Sequence, residues 1–61
     1  MNDVIETVKV TDTLELQIIV VGDRYGVYRP DYKETLDTFD TLEDARDAAT
    51  MIAADIAWAL E

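Results

Sequence analysis

Apolar and polar residues alternate along the first third of the chain, which is the pattern of β-strands with one buried face. Alternation over about residues 3–10 predicts a first strand whose apolar face carries three valines: Val4, Val8 and Val10. A second strand is predicted over residues 14–21, where Leu14 and Leu16 begin a run of alternating aliphatic residues. Its far half, Ile18–Val21, is apolar on both faces, so this strand is expected to lie centrally in the sheet.

Turn-forming residues separate the next elements. Gly22 and Asp23 are predicted to close a hairpin that leads into a short third strand over residues 25–29. Pro30 ends that strand, because proline lacks the N–H group needed to donate within a ladder. After a polar loop, residues 35–39 are predicted to form a fourth strand at the edge of the sheet.

The last third of the chain has the pattern of a single helix. Thr41 or Asp40 provides a side-chain oxygen for the N-cap, and acidic residues follow in the first turn, where the helix dipole favours negative charge. No glycine or proline interrupts residues 45–60. The three–four spacing predicts one buried face, made of Leu42, Ala45, Ala49, Ile52, Ile56 and Leu60. A helix this long is expected to extend past the strands at its last turn.

Strands followed by one helix predict an α+β fold. The expected architecture is an antiparallel sheet of three to four strands with one C-terminal helix packed on one face. Residues 1–61 are expected to form a single domain with a thin core. Small domains often gain stability from disulfides or self-association, and the chain has no cysteine, which makes self-association an open alternative.

Charge is the feature that bears most on function. The chain has 14 Asp and Glu residues against 5 Lys and Arg residues, a net charge of −9, and no His, Cys or Ser. The commonest nucleophiles and the side chain that titrates near neutral pH are therefore absent. We expect a protein that is not an enzyme, needs no cofactor and acts by binding. The glycine-containing calcium loop is also missing, so no metal is predicted, although the acids could offer weak oxygen ligands.

The same composition limits the partners. The longest run of aliphatic residues, Ile18–Val21, is far shorter than the roughly 20 residues that span a bilayer. The N-terminal residues are acidic and lack the apolar segment of a signal peptide, which predicts a cytoplasmic protein. Strong negative charge repels nucleic acid and anionic lipid, so direct binding to either is not expected.

A row of carboxylates is the strongest candidate for a binding surface. Four aspartates recur at intervals of three, four and three residues: Asp37, Asp40, Asp44 and Asp47. On a helix such neighbours lie about 5–6 Å apart, a spacing similar to that of phosphates along one nucleic-acid strand. The predicted partner is a basic nucleic-acid-binding protein, for example a subunit of a CRISPR effector. The predicted contact residues are Asp31, Glu34, Asp37, Asp40, Glu43, Asp44 and Asp47.

The charge and the apolar residues also allow alternative interpretations. The acids suit a solvated, well-capped helix, or adaptation of the whole surface to high salt. Met51 and Trp58 form an apolar stripe that a thin domain cannot bury, and Ile19 and Val21 form another on the sheet, so either pair is a candidate for homodimer formation. In a further alternative, Trp58 folds back over the sheet edge against Val4 or Tyr28.

Two resemblances accompany this interpretation. The hairpin residues Ile18–Val21 and Tyr25–Tyr28, then Phe39 and the helix start Thr41–Ala49, resemble small uncharacterised bacterial and phage domains, which implies a strand meander followed by a helix. In size, acidity and lack of catalytic residues the chain also resembles phage-encoded anti-defence proteins, such as anti-CRISPR proteins and restriction inhibitors that mimic DNA. This second resemblance implies a non-enzymatic inhibitor; a small dimeric assembly domain is the alternative.

Overall fold

A computed structural model describes residues 3–60 and contains four strands and one helix. Their bounds are Val4–Lys9 (β1), Glu15–Val21 (β2), Arg24–Arg29 (β3), Glu34–Phe39 (β4) and Leu42–Leu60 (α1). The strands form one antiparallel sheet in the order β1-β2-β3-β4, and α1 packs on one of its faces. The predicted α+β fold is confirmed, as are the central position of β2 and the fourth strand at an edge.

The strand register assigns the sheet residues to two faces. One row of paired residues crosses all four strands on the side covered by the helix, here called the helix side: Glu6, Ile18, Val27 and Asp37. The uncovered side, here called the open face, begins with the paired row Val4, Ile19, Gly26 and Thr38. Its other paired positions are Thr7, Gln17, Tyr28 and Thr35, then Lys9 with Glu15, and Val21 with Arg24.

The core lies between the helix side of the sheet and three alanines of α1. Leu16, Ile18 and Val27 are fully buried, and they face a helix stripe made of Ala45, Ala49 and Ala53. Side chains as short as alanine let the helix backbone approach the sheet closely, and larger residues then close the margins of the interface. These partly buried residues are Val8, Val10, Tyr25, Phe39, Leu42, Ala48, Ile52 and Ile56.

The prediction of the buried helix face was wrong for one residue. Leu60 is 64% exposed, whereas Ala53, which was not predicted, is buried. The 19 residues of α1 extend about 28 Å, while the seven residues of β2 extend about 23 Å, so the last turn has no strand beneath it. The predicted extension of the helix past the sheet explains why Leu60 is exposed.

The first strand is irregular, and this corrects a second prediction. Val4 pairs with Ile19 but Glu6 pairs with Ile18, so β1 advances two residues while β2 advances one. This is a β-bulge at Ile5, and it moves the residues before it to the other side of the sheet. Val8 packs against the core on the helix side, whereas Val4 lies on the open face, so the valines do not share one face.

Local backbone chemistry accounts for the hairpin and the helix start. Gly22 has a φ of 63°, which fits the first central position of a tight two-residue turn between β2 and β3. Thr41 Oγ1 accepts a hydrogen bond of 3.1 Å from the backbone N–H of Asp44, so Thr41 is the N-cap. Asp40, the alternative cap, instead forms an ion pair with Arg24.

The turn between β3 and β4 contains a strained residue. Lys33 has a φ of 55°, a left-handed conformation that its Cβ disfavours, and its N–H donates to Pro30 O at 3.2 Å. We expect Lys33→Gly to raise the free energy of unfolding by about 0.5–1 kcal/mol relative to Lys33→Ala. Both changes remove the same charge, so urea unfolding of the two variants isolates the backbone effect. Equal free energies of unfolding for the two variants would contradict the strain at Lys33.

Candidate protein-binding surface

The seven carboxylates predicted to bind a partner all lie on the surface. They are Asp31, Glu34, Asp37, Asp40, Glu43, Asp44 and Asp47, here called the acidic segment, and each is exposed. They run from the β3–β4 turn through edge strand β4 and the bend at Asp40 into the first turns of α1. Half of the 14 acids of the chain therefore lie within 17 consecutive residues.

The helical spacing assumed for four of these aspartates is wrong. Asp37 lies in β4 and Asp40 in the bend before α1, so neither continues the helix. Only Asp44 and Asp47 have the expected helical separation of three residues, with Glu43 adjacent. The sequence interval was misread because a strand ends and a helix begins within it.

Arginine side chains pair with two members of the acidic segment. Arg24 bonds to Asp40, and its Nε and Nη2 also donate to Oγ1 and O of Thr38, each at 3.1 Å. Arg29 Nε donates to both carboxylate oxygens of Asp31, at 2.9 and 3.1 Å. This hydrogen bond holds the pKa of Asp31 below its ordinary value. The Arg29 guanidinium also lies 4.1 Å from the centroid of the Tyr32 ring, which fastens the turn to β3.

Five carboxylates of the acidic segment have no ion pair within the described residues. They are Glu34, Asp37, Glu43, Asp44 and Asp47. The third arginine of the chain, Arg46, instead donates from Nε to Glu6 Oε2 at 2.6 Å and joins α1 to β1. Unpaired, exposed carboxylates retain their full charge for an external cation, so these five are the members most able to contact a basic partner.

Negative charge is distributed unequally between the two sides of the sheet. The register places Asp37 on the helix side, and Glu43, Asp44 and Asp47 project from the helix that covers this side. On the open face, in contrast, Glu15 is the only acid among the paired positions, where it lies across from Lys9. The strong acidity of the chain is therefore concentrated away from the open face.

The residues predicted for self-association differ in exposure. Met51 is 69% exposed and Trp58 is 80% exposed, so Trp58 does not fold back against Val4 or Tyr28. Val21 is partly buried, and Ile19 is only 2% exposed because its neighbours on the open face cover it. The helix stripe is thus the more exposed of the two predicted apolar surfaces.

A shallow depression on the open face was not predicted from the sequence. It has a volume of about 250 Å³ and is lined by Val4, Gln17, Ile19 and Tyr28. The pairing of Gln17 with Tyr28 follows from the hairpin register, so this part of the lining could have been predicted from the sequence. Val4 joins it only because of the bulge at Ile5, for which the alternating sequence carries no signal.

Metal and membrane sites find no support in residues 3–60. No three Asp, Glu, His or Cys residues in this range converge as a metal site requires, and no buried side-chain polar atom lacks a hydrogen-bond partner. The same part of the chain has no helix with the length and hydrophobicity needed to cross a membrane. The exposed surface, with its unequal distribution of charge, is the candidate binding site in this part of the chain.

Comparison of the chain with protein-family models, with curated proteins and with solved structures found no match. The charge distribution and the exposed side chains are therefore the basis for assigning a function.

Proposed function

We propose that this protein is a non-enzymatic inhibitor that binds a basic nucleic-acid-binding protein through the acidic segment. The observation that carries the proposal is the unequal charge of the two sides: exposed acids with no ion pair among residues 3–60 lie on and around α1, while the open face has one acid among its paired positions. Adaptation to high salt would distribute acids over every exposed face. An uneven distribution instead favours a surface that meets a cationic partner.

The target is expected to be a protein that binds DNA or RNA through a positively charged groove. Such grooves gain most of their affinity from neutralising phosphates, and closely spaced carboxylates can compete for the same lysine and arginine side chains. Asp44 and Asp47, one helical turn apart, provide the helix-borne pair. Asp37 and Glu34 extend the negative surface along β4. A defence nuclease of the CRISPR or restriction type has a groove of this chemistry.

Competition with nucleic acid tests the proposal directly. Immobilised protein is used to capture proteins from bacterial lysate, with and without an excess of duplex DNA. We expect capture of a nucleic-acid-binding protein that both the duplex and about 0.5 M NaCl release, because the Debye length at that salt concentration is about 4 Å. Capture of a partner that ignores both treatments would contradict binding through the acids.

A further inference from the structure

The open face of the sheet has a charge that differs from the rest of the molecule. Among its paired positions Lys9 lies across from Glu15, and Arg24 forms an ion pair with Asp40 at the margin, so this face is nearly neutral, whereas the whole chain has a net charge of −9. Two copies of the chain repel one another wherever their acids approach. Contact through the open faces brings the fewest acids together, so this is the surface on which self-association costs least in electrostatic energy.

Strand β2 has the composition of a strand that is covered on both sides. Leu16 and Ile18 face the helix, and Ile19 and Val21 face the opposite way. An antiparallel strand with one solvated face normally alternates apolar and polar residues, and the far half of β2 departs from that pattern. The helix can cover only one side of the sheet. Neighbouring side chains already bury Ile19, so Val21, which is partly buried, and Val4, which is 50% exposed, are the aliphatic residues of this face that an opposing layer would cover.

The surface of the open face is continuous and has a depression at its centre. A Cβ atom on Gly26 would lie 3.2 Å from methyl carbons of both Val21 and Thr35, so these side chains already close over the glycine. Beside it, the depression has Ile19 as a buried lining residue and Val4, which is 50% exposed, in its wall. An apolar side chain from an opposing layer would replace water in this depression, which is favourable.

We propose that the open face binds the open face of a second copy, forming a homodimer with two-fold symmetry. In such an interface the same patch occurs on both copies, so it must be complementary to itself. The apolar lining of the depression, Val4, Ile19 and Tyr28, satisfies this condition, because apolar surface is complementary to itself. The two sheets then pack about 10 Å apart, and the acidic segments remain exposed to solvent except for Asp40, which lies beside Arg24 at the margin of the interface.

The exposed helix stripe is a poorer surface for a second copy. Met51 and Trp58 lie beside Asp47 and Asp55, which are exposed on neighbouring turns of α1. Two helices meeting along this stripe would bring carboxylates of both copies close together, and the last turn of α1 carries no basic residue to offset them. Like charges brought together at an interface cost several kcal/mol. The open face avoids this penalty.

The size of the open face limits the strength of the dimer. Four strands of six to seven residues cover a surface of roughly 20 by 20 Å, or roughly 400–500 Å² per copy. The total of roughly 800–1,000 Å² is smaller than the roughly 1,200–2,000 Å² of stable, specific interfaces and fits a weak, transient complex. We therefore expect a dissociation constant of about 100 µM, and the remaining repulsion between copies predicts tighter association at high salt.

Sedimentation of the wild-type protein and of two double variants tests the dimer. Thr7→Glu with Thr35→Glu adds charge at two exposed positions of the open face, at the ends of the row that contains Gln17 and Tyr28. Thr13→Glu with Thr50→Glu adds the same charge at exposed positions in the β1–β2 turn and on α1. Samples from about 10 µM to about 1 mM bracket the expected affinity, and circular dichroism confirms that each variant is folded.

We expect the wild type to dimerise, more tightly in about 1 M than in about 0.1 M NaCl because salt screens the repulsion between copies. Thr7→Glu with Thr35→Glu should weaken the dimer about 100-fold or more, and the control pair by much less, since only the first places like charges in the interface. A wild-type monomer at every concentration and salt would overturn the proposal, as would equal weakening by both pairs. The salt trend is opposite to that expected for the acidic segment and a basic target, so either proposal can fail alone.

Discussion

Replacing Leu16 with alanine is expected to lower the free energy of unfolding by about 2–5 kcal/mol. Leu16 is fully buried between the sheet and the alanine stripe of α1, and within residues 3–60 it is one of three large side chains with no exposure to solvent. A domain of 61 residues has a total stability of roughly 3–9 kcal/mol, so this one truncation removes much of it. Urea unfolding followed by circular dichroism, at one protein concentration, measures the change.

Leu60→Ala is the matched control for this prediction. It removes the same atoms from a leucine in the last turn of α1 that lies beyond the sheet and is mostly exposed. Its effect should stay within about 0.5 kcal/mol, as for most surface substitutions. A loss below about 1 kcal/mol for Leu16→Ala would mean that the thin core tolerates a cavity by collapsing around it, and similar losses for both leucines would mean that burial does not decide the cost.

Most of the fold could be predicted because its signals are local. The apolar alternation of β2, the turn at Gly22 and the cap at Thr41 each act within a few residues, and each predicted element is present. Connections this short leave little choice of topology, since consecutive antiparallel strands joined by tight turns become neighbours in the sheet. The helix then has one apolar stripe to bury and one sheet face on which to bury it.

The errors arise where a residue's surroundings depend on distant parts of the chain. Whether Val4 faces the helix depends on an unpaired residue in β1, and this irregularity appears only once β1 and β2 are aligned. Leu60 continues the apolar spacing of α1, yet its burial depends on how far the strands extend beneath the helix. The apolar periodicity of a segment carries no information about its register with a neighbouring strand or about how far the strands extend beneath a helix.

The candidate surfaces, like the fold, could be predicted only in part from the sequence. Sequence alone predicted that the acids form a contact surface, but not that Arg24 and Arg29 would pair with Asp40 and Asp31. Those pairs leave Glu34, Asp37 and the helix acids as the free part of the acidic segment among the described residues. Charge becomes informative about function only when it is assigned to sides of the sheet, and that assignment needs the strand register.

Neutralising the helix acids is expected to weaken binding to the basic target about 100-fold or more, since several charge-assisted contacts are lost together. The change is Glu43→Gln, Asp44→Asn and Asp47→Asn, at exposed positions with no ion pair among the described residues. The fold should survive, because the weaker helix-dipole interaction costs a few tenths of a kcal/mol per residue and relief of repulsion between Asp44 and Asp47 offsets part of it. Calorimetric titration against the captured target, repeated at several salt concentrations, measures the affinity and its salt dependence.

The control for this variant removes the same charge elsewhere. Asp3→Asn, Asp12→Asn and Asp23→Asn change exposed residues outside the acidic segment, two of them in strand-connecting turns, and reach the same net charge. If a local surface binds the target, the control keeps most of the affinity and of the salt dependence, while the helix variant loses both. Equal losses would show that the target responds to total charge alone, and the acidic segment would then have no special role.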